Sequence, residues 1–278
     1  MINLTCGAPR RVDVNGRALQ LHEWDEPRYP AVLLLHSVAA HGHWWDWSAP
    51  RLAERHHVFA LDFRGHGASS HARPPSYRFT DHVGDVIAVL DVLGWRSLIV
   101  VGHSMGAYVG ALLAASHPDR IRALVIADML TVWPPELARH AQGQAERPPR
   151  EFATRAEAAS GFRLTPSETA APRGRLGHLG KAGVVERRPG TWQPAFDRHV
   201  FLHPPVDPWP FLPQIQTPTL VVCGSRSTVM DRDAAQRVAT TVQRGESAEL
   251  PRAYHHLVLD DPDGFASLVL AWIARVSR

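Results

Sequence analysis

The sequence has few cysteines and no long apolar segment. Its two cysteines, Cys6 and Cys223, lie far apart and in unlike surroundings, so a disulfide framework is not expected. No stretch reaches the roughly 20 apolar residues that a membrane helix requires. The N-terminal segment lacks the basic and apolar regions of a secretion signal. These absences predict a soluble cytoplasmic protein without a membrane partner.

An excess of charge of one sign is also missing. Lys and Arg together number 30 and Asp and Glu 27, which leaves a net charge of +3. The basic residues are scattered rather than gathered in one block, which argues against a nucleic-acid partner. No internal repeat or heptad run is visible, which excludes solenoid and coiled-coil folds. We expect a small-molecule partner, and the sequence leaves the oligomeric state unknown.

Short apolar runs alternate with helical patterns along most of the chain. The runs, typical of strands buried on both faces, are Ala31–Leu35, Val58–Leu61, Leu98–Val101, Leu124–Ile126 and Leu220–Val222. The helical patterns are Asp81–Leu93, Met105–Ser116, Asp231–Val242 and Asp261–Val276. Near the start, Asn15-Gly16 between alternating residues predicts a β-hairpin. The fold class is therefore α/β, with a mostly parallel sheet flanked by helices.

The alternation stops over residues 131–212. Prolines punctuate short polar helices there, and no apolar strand is visible. We interpret this segment as an inserted helical cap, and residues 1–130 and 213–278 as the core domain.

The pentapeptide Gly102-His103-Ser104-Met105-Gly106 stands between a predicted strand and a predicted helix. This is the setting that the G-x-S-x-G motif requires. The serine of such a turn has a strained backbone, and a Cβ at either glycine would collide with the neighbouring strand or helix. We therefore predict that Ser104 is a nucleophile.

The chain resembles the α/β-hydrolase fold family along its length. The resemblance rests on the motif around Ser104, on the turn Asp62–Ser69 and on the segment His255–Pro262. It implies an α/β-hydrolase fold with an inserted cap, a serine hydrolase without a cofactor, and catalytic residues in the chain order Ser, acid, His.

The general base must be one of two neighbouring histidines. A serine hydroxyl needs a base that takes its proton and later returns it to the leaving group. In the family's pattern, the catalytic His lies seven residues before the Pro that opens the last helix. Counting back from Pro262 gives His255. His255 is therefore the predicted base, and His256 is a packed or polar neighbour.

The acid is less obvious. Many relatives carry Asp three residues after the Gly that ends the late strand, and here that position is Ser227. A second acid position directly follows the strand after the nucleophile helix, as in haloalkane dehalogenases, and here it holds Asp128. Asp128 is our predicted acid. The alternatives are that Asp128 only closes the strand and that Asp231, better explained as a helix N-cap, or no carboxylate serves instead.

The resemblance also implies two backbone N–H donors for the oxyanion. They would belong to Met105, after the nucleophile, and to Val38, in the loop after the third strand. Ser37 stands where relatives usually have Gly. A side chain there could narrow the acyl pocket or twist the Val38 amide.

Pocket and metal candidates are weaker predictions. Apolar faces of the cap could roof the site, which is where this fold places substrate selectivity. The pocket candidates are Ser37, His103, Trp133 and Trp192. His41 and His43 have ligand-like spacing, but no third ligand follows at a recognisable offset, so we expect packing and no metal.

These residues favour a hydrolase of carboxylic esters or lactones. The serine argues against the dehalogenase and epoxide hydrolase branches of the family, which need a carboxylate at position 104. A carbon–carbon bond hydrolase with the same triad stays compatible. So does a ligand-binding homologue with weak turnover, which the serine at position 37 and the missing late acid would suit.

Overall fold

The structure is a computed structural model that describes residues 9–24, 30–202 and 207–277. Cys6 and the N-terminal segment lie outside the described residues, whereas Cys223 is a buried free thiol. No helix in the described ranges is both long and apolar enough to span a bilayer.

Ten strands lie in the described ranges, and eight of them form one sheet in the order β1-β2-β4-β3-β5-β6-β9-β10. The strands are β1 (Arg10–Val14), β2 (Arg17–Trp24), β3 (Val32–Leu35), β4 (Val58–Leu61), β5 (Leu98–His103), β6 (Ile121–Ala127), β7 (Val184–Arg188), β8 (Thr191–Pro194), β9 (Thr219–Gly224) and β10 (Gly245–Leu250). Pairing is antiparallel from β1 to β4 and parallel from β4 to β10. This confirms a mostly parallel sheet.

The predicted hairpin at the start of the chain is confirmed. Val14 pairs with Arg17 across a two-residue turn, and Asn15 and Gly16 have φ values of 51° and 73°. Positive φ at both central residues matches the right-handed twist of the two strands, and Asn and Gly tolerate it best.

Helices cover both faces of the sheet. They are α1 (Ala49–Ala53), α2 (Phe79–Val92), α3 (Met105–Ser116), α4 (Pro135–Glu146), α5 (Arg155–Ser160), α6 (Arg173–Ala182), α7 (Arg232–Thr241), α8 (Leu257–Asp260) and α9 (Pro262–Val276). Alternate strand residues point to opposite faces. Leu33 and Leu35 therefore join the cluster under α2, α3 and α7, whereas Val32 and Leu34 join the cluster under α1 and α9. The fully buried pattern of β3, β4, β5 and β9 agrees with their continuously apolar sequences.

Elements α4 to β8 lie between β6 and β9, within the predicted cap. The segment is not wholly helical as expected, because β7 and β8 form an antiparallel ribbon around a Gly190 with φ of 71°. The ribbon has half-buried or exposed side chains and charged residues, so its sequence carries no apolar-strand signal. Backbone hydrogen bonds from Gly67 to Ala195 and from Asp197 to Gly65 join the segment to the turn after β4. The domain boundaries themselves remain a prediction.

The turn after β4 is anchored by a buried ion pair. Arg64 donates from Nε and Nη2 to the two oxygens of Asp85 on α2, at 2.5 and 2.6 Å. Its exposure is 6% and that of Asp85 is 1%. Arg64 also donates to the carbonyl of Asp81. Arg64 thus anchors the turn to a carboxylate and a carbonyl of α2.

Replacing Arg64 by Ala should lower the free energy of unfolding by about 3–5 kcal/mol, because it leaves the Asp85 carboxylate buried without its partner. Urea denaturation measures this loss. The control is Arg51→Ala, which breaks the exposed pair with Glu54 and should cost at most about 1 kcal/mol. Equal losses in the two variants would contradict the anchoring role.

Candidate active site

Ser104 occupies the turn between β5 and α3. Its φ of 54° and ψ of −115° lie in a region that residues other than Gly rarely adopt. Such strain costs about 1–3 kcal/mol and persists only where the surroundings fix it. Here the Ser104 amide donates to the Ala127 carbonyl at 2.9 Å, and the Ser104 carbonyl accepts from Ala107 and Tyr108. Ser104 is half-buried, whereas the residues on either side of it are buried. The turn therefore holds the Ser104 hydroxyl clear of the sheet.

The two glycines of the pentapeptide have no room for a side chain. A Cβ on Gly102 would lie 2.3 Å from the carbonyl oxygen of Gly106, within the same turn. A Cβ on Gly106 would lie 2.1 Å from the carbonyl oxygen of Leu35 and 2.8 Å from that of His36. The predicted collisions are therefore present. The second collision also places the loop after β3 directly against the first turn of α3.

Asp128 follows β6 and is completely buried. Its Oδ1 accepts hydrogen bonds from His255 Nδ1 at 2.8 Å and from Ser227 Oγ at 2.7 Å. Its Oδ2 accepts one from the Gly224 amide at 3.1 Å. Asp231, the alternative acid, instead caps α7 by accepting from the Ala234 amide at 2.7 Å. Three donors thus surround a carboxylate that faces His255.

Of the two neighbouring histidines, His255 is the one that the structure pairs with a carboxylate. Its Nδ1 is taken by Asp128, so Nε2 is the ring nitrogen left to act on a neighbouring hydroxyl. His256 donates from Nε2 to the carbonyl of Pro166, in the inserted segment, at 2.8 Å. Burial, with a further contribution from His255, lowers the pKa of His256 to about 3. His256 is therefore a neutral packing residue at pH 7.

His103, the residue before Ser104, packs behind His255. Its Nε2 donates to the His255 carbonyl at 2.9 Å, and the two rings lie 5.0 Å apart. The other side of the ring stacks on Trp44, with centroids 6.0 Å apart. Burial, with His255 and His256 adding to it, holds the pKa of His103 well below its usual range. His103 has no exposed surface, so it supports His255 from the inside.

The loop after β3 carries the predicted oxyanion donor. His36 Nδ1 donates to the Ser37 carbonyl at 2.7 Å, and His36 Nε2 accepts from the Phe63 amide at 3.1 Å. Ala40 also donates to the Ser37 carbonyl. In the described part of the chain, the Val38 amide has no acceptor. The amide of Met105, as the first residue of α3, has no acceptor within the helix. Both donors remain available.

The pocket candidates lie in different surroundings. Ser37 is only 3% exposed, and its carbonyl receives the two bonds from His36 and Ala40. Trp133 is half-buried, 6.3 Å from the ring of Phe79. Trp192 lies on β8, and the guanidinium of Arg155 lies 5.8 Å from the centre of the Trp192 ring. Their contact with a substrate remains a prediction.

Sequence reasoning missed two residues that organise this site. In the sequence, Ser227 only marks the position where many relatives have an acid, yet in the structure it donates to Asp128. Its position, three residues after Gly224, was the available signal. His36 was not singled out, although it fixes the Ser37 carbonyl in the loop that carries Val38. Nothing in the local sequence distinguishes it from the other histidines nearby.

Comparison with known proteins gives a family match over most of the chain and partial matches to curated proteins. The family model described as the alpha/beta hydrolase fold matches residues 30–262. A serine hydrolase-like protein of Danio rerio is 33% identical over 129 residues, which are 46% of this chain and 39% of that protein. Epoxide hydrolase B of Mycobacterium tuberculosis is 42% identical over 98 residues, which are 34% of this chain and 28% of that protein. The chain therefore spans less than half the length of these curated relatives.

The structural similarity extends over nearly the whole chain. An alpha/beta hydrolase from Novosphingobium aromaticivorans superposes with a TM-score of 0.77 at 26% sequence identity. The superposition covers 96% of this chain and 98% of that one.

Gly106→Ala should destabilise the protein by about 1–3 kcal/mol, because the added methyl group meets backbone oxygen atoms that cannot rotate away. The matched control is Gly84→Ala in α2, where a Cβ meets nothing within 4 Å. Alanine there should raise stability by up to about 1 kcal/mol through helix propensity. Thermal unfolding of both variants checks the pair. A neutral Gly106→Ala would show that the loop after β3 does not press on α3.

Proposed function

This chain belongs to the α/β-hydrolase fold family, and we propose that it is a hydrolase that cleaves carboxylic esters or lactones through an acyl-enzyme on Ser104. The observation that carries the proposal is the Asp128–His255 hydrogen bond beside the strained Ser104 turn. His103 pairs with Ala127 across β5 and β6. Ser104 and Asp128, the next residue on each chain segment, therefore emerge at the same edge of the sheet.

In the proposed reaction, Ser104 Oγ attacks the substrate carbonyl while His255 Nε2 takes its proton. Asp128 orients the ring through Nδ1 and stabilises the imidazolium. The tetrahedral intermediate places its negative oxygen on the amides of Val38 and Met105, and one donor of this kind is worth about 3 kcal/mol. Collapse of the intermediate returns the proton to the leaving alcohol. Water, activated by His255, then releases the acid product and regenerates Ser104.

The two imidazoles beside His255 do not oppose the positive charge that it takes up in the proposed reaction. An additional positive charge on either would oppose the imidazolium. Burial lowers the pKa of both His103 and His256, so both are neutral at pH 7. The carboxylate of Asp128 is then the only close charge that the imidazolium meets among its described ring and hydrogen-bond partners.

The nucleophile also separates this chain from its relative named epoxide hydrolase B. In that branch of the family a carboxylate attacks an alkyl carbon and forms an ester. Serine at position 104 instead supports attack on a carbonyl carbon. A carbon–carbon bond hydrolase would use the same residues, so a panel of esters, lactones and β-diketones distinguishes these substrate classes.

The protein should hydrolyse a short p-nitrophenyl ester and react with a fluorophosphonate probe at one serine. Ser104→Ala should abolish both, because it removes the attacking oxygen. Mass spectrometry of the labelled peptide identifies the site, and Ser225→Ala, which changes an exposed serine after β9, serves as the control. A wild-type protein that binds the ester without turnover or labelling would instead be a ligand-binding homologue.

Asp128→Asn should lower kcat for the same ester by about 10⁴, since an amide cannot hold His255 in the required tautomer or stabilise its charge. Asp231→Asn should leave kcat nearly unchanged, because Asn caps a helix as well as Asp does. Steady-state kinetics of the two variants tests the assignment. More than a tenth of wild-type activity in Asp128→Asn would contradict it.

A further inference from the structure

A second group of chemically active side chains lies where the inserted segment meets the core. His43 belongs to the 3-10 turn Gly42–Trp45 after β3, and Asp46 directly follows that turn. His178 belongs to α6 in the inserted segment. Asp46 Oδ2 lies 3.0 Å from His43 Nδ1 and 2.7 Å from His178 Nε2. One ligand atom from each residue falls within 4.8 Å of the other two.

We propose that His43, Asp46 and His178 bind a divalent transition-metal ion of the zinc type. Two imidazole nitrogens and one carboxylate oxygen are a donor set that such ions prefer. Zinc holds these donors at about 2.0–2.2 Å, which places tetrahedral ligands roughly 3.3 Å apart. The observed separations of 2.7 and 3.0 Å therefore need to open by only a few tenths of an ångström. The remaining coordination position would be filled by water.

The surroundings already hold the three ligands in place. His178 meets the ring of His43 at 6.0 Å and that of Trp47 at 5.1 Å, both edge to face. The helix that carries it is docked by Arg175, whose guanidinium lies 5.0 Å from the centre of the Trp47 ring. Arg175 also donates to the carbonyl of Leu259, which lies in α8 of the core. Little reorganisation would therefore accompany metal binding.

A neighbouring histidine gives an independent indication of a ligand. His41 is 4% exposed, and neither of its ring nitrogens has a hydrogen-bond partner in the described part of the chain. Its ring lies 5.7 Å from that of His43. His41 thus places an unbonded imidazole beside the proposed site.

The site would act as a clamp between the inserted segment and the core. Two ligands come from the turn after β3, on the same loop as Val38, and the third comes from α6. The metal would therefore fix α6 to the loop that carries a proposed oxyanion donor. It would take no part in the bond cleavage, because none of Ser104, His255 and Asp128 belongs to it. The inference does not depend on the proposed ester hydrolysis.

Zinc titration of the purified full chain, after treatment with EDTA, tests the proposal. Calorimetry with ZnCl₂ should show one equivalent bound at this site, and zinc at 100 times Kd should raise Tm by about 5–10 °C. Co²⁺ in place of zinc should give visible absorption bands of a tetrahedral complex. His178→Ala and Asp46→Asn should each weaken zinc binding at least tenfold and remove the Tm shift. His140→Ala, at an exposed histidine on α4, should change neither.

The triad region offers a competing location that the same experiment distinguishes. His103, His255 and His256 also place three donor atoms within 4.8 Å of one another. Zinc bound only there would survive His178→Ala and would be lost in His256→Asn, and this result would overturn the proposal. So would a wild-type protein whose Tm does not respond to zinc. His178→Ala and Asp46→Asn change residues on different elements, so a folding defect in one variant would not affect the result of the other. Circular dichroism would reveal such a defect.

Discussion

The hydrogen bond between Asp128 and His255 is the contact on which the arrangement of the site depends. It joins the end of β6 to the loop after β10, and two further bonds to the same carboxylate bring in the loop after β9. Three separate segments therefore converge on one buried charge. Such a charge is tolerated in the interior only when its oxygens are fully hydrogen-bonded. This requirement fixes the His255 ring as well as the carboxylate.

Burial explains why several histidines can surround the site without repelling one another. His36, His103 and His256 are buried, and burial lowers the pKa of each. They are therefore neutral donors or acceptors in a fixed framework. His36 bonds to the main chain through both ring nitrogens, and His103 and His256 each through one. His255 differs from them because its own ring nitrogen faces a carboxylate. Charge can then develop at one imidazole without being opposed by the others.

A second buried carboxylate, that of Asp62, also holds neighbouring loops together through hydrogen bonds. Asp62, at the end of β4, accepts from the Gly42 amide at 2.6 Å and from the Ala68 amide at 2.9 Å. It also faces His22 at 3.1 Å. Burial by itself would raise the pKa of Asp62, but the hydrogen bond and electrostatic attraction of His22, with contributions from His36 and the Ala68 amide, hold it well below its usual range. The turn that presents His43 and Asp46 to α6 is thus tied to the sheet by a charged group.

Local sequence pattern determined the elements of the core. Continuous apolar runs specified the buried strands, and Asn15-Gly16 specified the hairpin. The two glycines around Ser104 specified the turn that holds it. Each of these features depends on neighbours within a few residues along the chain. The positions of Asp128 and His255 were predicted from the family resemblance, and their catalytic roles stay predictions. The sequence did not predict the ribbon β7–β8, because a half-exposed pair of strands has no apolar pattern.

Only the tertiary structure decided which distant groups meet. Ser227 and Asp128 are hydrogen-bonded across two loops, and His178 reaches Asp46 from another part of the chain. No spacing rule relates such residues, because their proximity comes from how β6 and β9 align and from how α6 docks on the core. The sequence alone therefore determined the framework and the turn that holds Ser104. Packing decided the hydrogen bonds around the acid and the assembly of the histidine–aspartate cluster.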